Sequence, residues 1–296
     1  MLIDRLAVIG VGLIGGSLAR ALRRAKVCGS VIGCNRNIET MEMAVKLGVI
    51  DEFSTEVTEA VKGADVVVLA TPLGTTESLL ASMAGALRED VIVTDVGSVK
   101  GYVVEAARRT LGGHLPRFVP GHPIAGTEES GVEASFADLF KSHLVILTPL
   151  PETNAVALEK ITGMWRITGA NVIHLDVKHH DEVLAATSHL PHMLAYALVD
   201  CLAGMQERDE IFRFAAGGFA DFTRIASSSP EMWHDICFSN REQLLSVLER
   251  FDDHIALIKA AIRESDSETL HDIFTRAKAA RDKFTDQRSA HLHGSG

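Results

Sequence analysis

The 296-residue chain has little of several features that mark specialised classes of protein. Its 4 cysteines form no C-x-x-C pair and follow no regular spacing, which argues against a disulfide framework and against a metal site. No apolar run approaches the roughly eighteen residues that a membrane-spanning helix needs. The first residues also lack the basic and long apolar segments of a signal peptide, so we expect a cytoplasmic protein that does not bind membranes.

Positive charge is also short, because 29 Lys and Arg residues stand against 39 Asp and Glu residues. A nucleic-acid-binding protein needs a basic face that displaces counterions, and the formal net charge of -10 argues against one. An anionic ligand must therefore meet positive charge that is placed locally. What the chain does have is 47% hydrophobic residues and a length that suits two domains.

The first part of the chain, from Leu6 to about Leu175, alternates short β-branched runs with helical patterns. This alternation predicts an α/β fold with a Rossmann-type, mostly parallel sheet. The predicted strands are Leu6–Gly10, Val31–Cys34, Asp65–Thr71, Val91–Val96, Phe118–Gly121, His143–Thr148 and Asn171–His174.

The strand pattern ends after about Asp176, and the rest of the chain has the periodicity of helices. The predicted helices there are Asp181–Met205, Glu207–Phe214, Pro230–Glu249 and Asp252–Phe284. We therefore predict a dinucleotide-binding domain over residues 1–176 and an all-helical substrate and dimerisation domain over residues 177–288. Residues 289–296 are predicted to be a disordered tail.

A glycine motif, Gly10-Val11-Gly12-Leu13-Ile14-Gly15, lies between the first predicted strand and the first predicted helix. This context is typical of a dinucleotide-binding turn, with the pyrophosphate at the helix N-terminus. The residues predicted to bind the cofactor here are Gly10, Gly12, Leu13, Ile14 and Gly15.

The second predicted strand ends in Asn35-Arg36, where many NAD enzymes carry an acidic residue for the ribose hydroxyls. Arg36 can pair with a 2′-phosphate, while Asn35 can still bond a free hydroxyl. We predict NADP or NAD as the cofactor, with NADP accepted. The alternative is that Arg36 is a solvated residue at a helix start.

Polar residues also follow the later strands, at the sheet edge where open α/β folds bind ligands. Thr71, Pro72 and Ser98 are predicted to contact the cofactor there, and Ser98 also suits the N-cap of the next helix. His122 is held between Gly121 and Pro123 on a stiff loop. Because imidazole titrates near neutrality, His122 is a candidate general base, with a structural histidine as the alternative.

Two segments of the helical part carry further candidate residues. Ser188–His192 contains His189 and His192 beside a proline that should kink the helix. Arg224 lies in a glycine-bearing segment and can clamp a carboxylate, or it forms a structural salt bridge with Asp221. We interpret His179-His180-Asp181 as a solvated helix start without chemistry.

Several of these motifs together resemble the prephenate/arogenate dehydrogenase family, and the likeness spans nearly the whole chain. They are Gly10–Ser17, Asp95–Lys100, Gly121–Glu128, Ser188–His192 and Thr223–Ala226. The resemblance implies a homodimer that oxidises and decarboxylates a 4-hydroxycyclohexadienyl carboxylate, prephenate or arogenate, in tyrosine biosynthesis.

The same resemblance implies roles for single residues. His122 contacts the ring hydroxyl, Ser98 lies near the nicotinamide and that hydroxyl, and Arg224 binds a substrate carboxylate. One or both of His189 and His192 approach the substrate side chain or the cofactor. Thr127 and Glu128 belong to a loop beside the cleft, with Glu128 as a gate.

Two other functions remain open from the sequence. A β-hydroxyacid dehydrogenase-like reductase also joins a Rossmann domain to helices, but Lys178 is poorly placed for its chemistry. A non-enzymatic, NAD(P)-binding redox sensor would use the same fold and leave His122 and Arg224 without a role. An assay with prephenate and a nicotinamide cofactor separates the three.

Overall fold

The computed structural model describes residues 2–127 and 129–293, with no side-chain description for residues 287–293. A sheet of six parallel strands has the order β3-β2-β1-β4-β5-β6, which confirms the predicted α/β fold. Its strands are β1 (Ile3–Ile9), β2 (Cys28–Cys34), β3 (Glu52–Ser54), β4 (Val66–Leu69), β5 (Ile92–Asp95) and β6 (Phe118–Val119).

Apolar side chains cover both faces of this sheet. In β1, Leu6 and Val8 point into one core cluster, while Ala7 and Ile9 point into the other. A strand buried on both faces is apolar without alternation, which is why the sequence pattern locates these strands well. The pattern missed β3, which is short and only partly buried.

A second sheet of three strands continues the chain. It comprises β7 (Gly121–Ile124), β8 (Leu144–Leu147) and β9 (Asn171–His174), with β7 antiparallel to β8 and β8 parallel to β9. The single strand predicted over Phe118–Gly121 is therefore wrong, because Pro120 separates β6 from β7 and the two belong to different sheets. Proline has no N–H to donate to a ladder, so it favours such a break.

The helices fall into two groups along the chain. Those that accompany the strands are α1 (Leu13–Arg24), α2 (Ile38–Lys46), α3 (Val57–Ala60), α4 (Thr76–Ala84), α5 (Lys100–Thr110) and α6 (Ala155–Ile167). Those that follow are α7 (Val177–Leu184), α8 (Leu190–Ala203), α9 (Arg208–Arg213), α10 (Gly217–Thr223), α11 (Pro230–Ser239), α12 (Arg241–Glu264) and α13 (Ser267–His293).

The predicted boundaries of the later helices differ from the observed ones. A π-helical turn, Ala185–His189, separates α7 from α8, and Pro191 lies in the first turn of α8. The break predicted after Glu249 lies instead at the buried residue Asn240, between α11 and α12. Helix α13 runs to His293 and so includes part of the segment predicted as a disordered tail.

Close packing divides the chain into residues 1–244 and residues 245–296. The first unit therefore includes α7 to α11, which the sequence pattern assigns to a separate helical domain. In the second unit, Ile262 and Phe274 are exposed and line a pocket between the end of α12 and the start of α13. Within the residues that the structure describes, no helix is both long and apolar enough to cross a membrane.

Candidate active site

The glycine turn after β1 is shaped by contacts that exclude side chains. Gly10 has a φ of 97°, and a Cβ atom there would lie 2.4 Å from the carbonyl oxygen of Ala70. A Cβ atom at Gly15 would lie 2.3 Å from the carbonyl oxygen of Gly10. A Cβ atom at Gly12, by contrast, would meet nothing within 4 Å. The turn is thus tightly packed on the protein side and open at Gly12.

Helix α1 begins at this turn, with Gly12 as its N-cap and without a side-chain cap among the described residues. The amides of Leu13 and Ile14 belong to its first turn, where backbone N–H groups have no acceptor within the helix. Backbone N–H groups and the helix dipole at such an end favour a phosphate. The residues present therefore fit a dinucleotide pyrophosphate.

The loop after β4 borders the same turn. The methyl group of Thr71 lies 2.9 Å from the position that a Cβ atom of Gly10 would take. The hydroxyl of Thr75 donates to the carbonyl of Pro72 at 2.7 Å and accepts from the hydroxyl of Thr71 at 2.9 Å. Pro72 opens a short 3₁₀ turn. Asp235 of α11 accepts a hydrogen bond of 2.8 Å from the amide of Gly74 and so anchors this loop.

The end of β2 also lies beside the glycine turn, because the amide of Gly10 donates to the carbonyl of Cys34. The side chain of Asn35 accepts a 3.3 Å hydrogen bond from the amide of Asn37, and Asn37 in turn caps α2. Arg36 is exposed and lies before the cap, so it does not start the helix.

Ser98 does not cap α5, and that part of its predicted role is wrong. The N-cap position belongs to Val99, and the helix amides are bound from elsewhere in the chain. The carboxylate of Asp181 accepts hydrogen bonds from the amides of Lys100 and Gly101, at 2.8 and 2.7 Å. Among the described residues, the hydroxyl of Ser98 makes no side-chain hydrogen bond, and the residue is partly exposed.

A buried ion pair supports the strand that carries His122. The ammonium group of Lys100 binds the carboxylate of Asp95 and also donates to the carbonyl of Gly121 at 2.6 Å. Asp95 accepts a 3.1 Å hydrogen bond from the amide of Gly121. Burial lowers the pKa of Lys100, and the charge of Asp95 opposes that effect. Because Lys100 and Asp95 both hydrogen-bond to the backbone of Gly121, the backbone next to His122 is held in place.

His122 lies in β7 opposite Ile146, and its Nδ1 atom is 2.9 Å from Nε2 of His180. His180 is completely buried, and its Nδ1 atom is 2.8 Å from a carboxylate oxygen of Asp181. The interpretation of His180 and Asp181 as part of a solvated helix start is therefore wrong, although His179 is exposed. The spacing to buried Leu184 was the signal, since residues three and four positions apart share a helix face.

The environment of these rings favours their neutral forms. Burial lowers the pKa of His122 well below its ordinary value, and the charges of His180, Lys100 and His189 add to the shift. Burial also lowers the pKa of His180, while the hydrogen bond and charge of Asp181 work against that shift. Neutral His122 can accept a proton.

His189 and His192 lie one turn apart, and both rings contact Trp233, which no motif of the sequence indicated. The ring of His192 stacks on Trp233 with centroids 3.8 Å apart, and His189 meets Trp233 edge-on at 5.9 Å. His192 donates from Nδ1 to the carbonyl of Ser188 at 2.8 Å, which leaves its Nε2 atom as an acceptor.

Arg224 starts a short 3₁₀ helix after α10 and is exposed. It lies near His192, because its charge adds to the effect of burial in lowering the pKa of that ring. Thr127 is exposed and bonds within its own loop, accepting from the amide of Glu129. Glu128, the predicted gate, lies outside the described residues. The structure thus links His122 with His180 and Asp181, and His192 with Trp233 and Arg224.

Comparison with known proteins covers both parts of the chain. Residues 18–174 match the nucleotide-binding domain of prephenate dehydrogenase, and residues 176–276 match its dimerization domain. The cyclohexadienyl dehydrogenase of Zymomonas mobilis is 39% identical over 93% of this chain and 94% of its own length. The prephenate dehydrogenase of Bacillus subtilis is 37% identical over 94% of this chain and 76% of its own length.

Solved structures give the same result. A prephenate dehydrogenase from Aquifex aeolicus, in complex with hydroxyphenyl propionate and NAD+, has a TM-score of 0.89 and 38% identity. That match covers 95% of this chain and 98% of the other. The arogenate dehydrogenase of Synechocystis has a TM-score of 0.80 and 30% identity, over 95% of this chain and 99% of the other.

The parallel sheet and its glycine turn, with a buried histidine network near the sheet edge, define an oxidoreductase that uses a pyridine nucleotide. The chain belongs to the prephenate dehydrogenase family. The resemblance read from the sequence motifs is confirmed.

Proposed function

We propose that this chain converts prephenate to 4-hydroxyphenylpyruvate, arogenate to tyrosine, or both, as a step of tyrosine biosynthesis. The observation that carries the proposal is the position of His122, a neutral imidazole held between strand and helix near the nucleotide-binding edge. The names of the relatives support the same substrate class.

The glycine turn and its flanks fit a pyridine nucleotide, which when bound accepts the hydride that leaves the substrate. Gly10, Gly12 and Gly15, with the amides of Leu13 and Ile14, suit its pyrophosphate. Thr71, Pro72 and Ser98 lie on the loops that follow β4 and β5 and would contact the nicotinamide part of the cofactor. Asn35 and Arg36 suit the adenosine ribose, so NADP is accepted beside NAD.

In the reaction, His122 accepts the proton of the substrate's ring hydroxyl while hydride leaves the same carbon, and Ser98 lies beside that hydroxyl. The carboxylate at the ring then departs as carbon dioxide, and its bonding electrons complete the aromatic ring. The phenolate oxygen takes the proton back. Arg224 binds a substrate carboxylate, and one or both of His189 and His192 approach the substrate side chain or the cofactor. Thr127 and Glu128 belong to the loop beside the cleft, with Glu128 as its gate.

The test is an assay of the purified protein with prephenate and with arogenate, each with NAD and with NADP. We expect reduced nucleotide and carbon dioxide in equal amounts with at least one pair. Reduction of neither nucleotide with either acid would refute the proposal. Reduction with a β-hydroxyacid alone would favour the reductase alternative.

We also propose that residues 177–288 form the substrate and dimerisation part of a homodimer, while residues 1–176 bind the nucleotide. The match to the dimerization-domain model supports this assembly, as do the exposed apolar residues Leu257, Ile262 and Phe274 in the second unit. Sedimentation should give a dimer at micromolar concentration. A monomer at every concentration tested would contradict it.

A further inference from the structure

The hydrogen bonds from His122 to Asp181 leave a single arrangement of protons. Asp181 accepts from the amides of Lys100 and Gly101, so its carboxylate faces His180 as an acceptor. His180 must then carry its proton on Nδ1, and its Nε2 atom is left as an acceptor. His122 must therefore donate from Nδ1 to His180, which leaves Nε2 of His122 free to accept a proton.

The opposite arrangement of protons is excluded because it would bring two hydrogen-bond acceptors into contact. If His180 carried its proton on Nε2, its bare Nδ1 atom would face a carboxylate oxygen of Asp181 at 2.8 Å. Two acceptors at that distance repel each other, and burial makes the repulsion worse.

The carboxylate of Asp181 works against the effect of burial on this pair of rings. Lys100 is paired with Asp95, and the hydrogen bond and charge of Asp181 raise the pKa of His180. Among the described residues, buried His189 is a further titratable group near these rings. A proton taken by His122 would bring this set of groups to neutrality.

We propose that His180 and Asp181 are positioning residues: they fix Nε2 of His122 as the proton acceptor and stabilise the proton that it takes from the substrate. The substrate chemistry, though not the hydrogen bonding, rests on the function proposed above. The reaction removes hydride and carbon dioxide, and the product keeps the hydroxyl hydrogen. The proton therefore does not have to leave the active site. It is held temporarily on His122, which His180 and Asp181 orient.

Nitrogen NMR of the histidine rings tests the hydrogen bonding without any activity. In protein labelled with ¹⁵N-histidine, we expect both His122 and His180 to carry the proton on Nδ1 at mildly alkaline pH. The signals are assigned by their loss in His122→Gln and His180→Gln. A proton on Nε2 of either ring would overturn the inference, whatever the enzyme's substrate.

Kinetics test the role in turnover, with His179→Gln as the matched control because His179 is the exposed neighbour of His180. We expect His180→Gln to lower kcat by about 10- to 100-fold with little change in KM. His179→Gln should leave both unchanged. When His122 is already replaced by Gln, the further change His180→Gln should lower kcat by less than about twofold, since the two residues act as one unit.

The pH profile separates positioning from a purely structural role. Asp181→Asn removes the carboxylate that accepts from His180 and, through His180, supports protonated His122, so the acid limb of kcat/KM should move to lower pH as kcat falls. Asp176→Asn is the control, because Asp176 also accepts from helix amides but lies away from the rings. An unshifted limb, or an equal loss with and without His122, would overturn the inference. An inactive wild type would refute the proposed function and leave the NMR result to decide this one.

Discussion

The side-chain amide of Asn240 donates one proton to the backbone carbonyl of Asp181 and the other to Nδ1 of His189, at 2.9 and 3.2 Å. His189 must then carry its own proton on Nε2. That atom is buried and has no partner among the described residues. Leaving such a donor unpaired costs about 1–3 kcal/mol, so an acceptor on a bound ligand would stabilise the site.

Acidification should destabilise the fold through His189. Burial lowers the pKa of His189 to about 4, while the unfolded chain has a value near 6.5. The unfolded state therefore binds the proton first, and stability is lost as the pH falls from about 6.5 towards 4. Thermal unfolding of His189→Gln should show a weaker loss over this range than the wild type. The exposed-site variant His179→Gln should keep the wild-type dependence, and a slope unchanged in His189→Gln would contradict the assignment.

Replacing His122 with alanine should lower kcat by roughly 10²–10⁴-fold, the usual effect of losing a positioned general base. Nucleotide affinity, measured by fluorescence titration, should change little. A wild-type rate would remove His122 from the mechanism.

The pH limb that depends on His122 should lie on the acid side of the ordinary histidine value. The sequence predicts a limb near neutrality, but burial lowers the pKa of His122, so the neutral base persists to lower pH. As the pH is lowered, kcat/KM should therefore stay constant past pH 6.5 and fall only at a lower pH. A limb at or above 6.5 would show that the ring is better solvated than the structure indicates.

Arg224→Ala should mainly raise KM, by about ten- to a hundredfold, because a charge-assisted bond to a carboxylate is lost. Arg213→Ala, at another exposed arginine, is the matched control and should leave KM unchanged. If Arg224→Ala lowers the melting temperature and leaves KM alone, the residue has a structural role instead.

Arg36→Ala should reduce kcat/KM for NADP more than for NAD if, as proposed above, its guanidinium pairs with the 2′-phosphate. Arg36→Lys keeps the charge but loses the planar guanidinium, so its kcat/KM for NADP should lie between the values of the wild type and Arg36→Ala. If the ratio of kcat/KM for NADP to kcat/KM for NAD is the same in both variants as in the wild type, Arg36 is only a solvated residue.

The sequence predicts the parallel sheet well because its strands, such as β4, are buried on both faces and read as continuous apolar runs. Periodicity describes each helix or strand separately. It therefore does not predict hydrogen bonds to residues that are distant in the sequence. The acceptor for the amide of Lys100 lies 81 residues away in Asp181, so Ser98 looked like the better cap.

Trp233 and Asn240 were missed for a related reason. Both are buried in α11 or at its end, where their side chains meet His189 on another helix. Their sequence context is that of an ordinary amphipathic helix, and only the packing of α8 against this segment shows the contact. Motif resemblance singled out His122, His189, His192 and Arg224 as candidates, but it gave no information on what orients them.

The attachment of Asp181 to the start of α5 has a consequence for how this protein can be cut into parts. A fragment ending at residue 176 would retain the glycine turn but lose the carboxylate that binds the amides of Lys100 and Gly101. The start of α5 would then fray, because its first amides would lose their acceptor. Crystallisation or ligand screening of an isolated nucleotide-binding part should therefore use a terminus beyond Asn240, and a protease that clips α7 should abolish turnover while sparing the sheet.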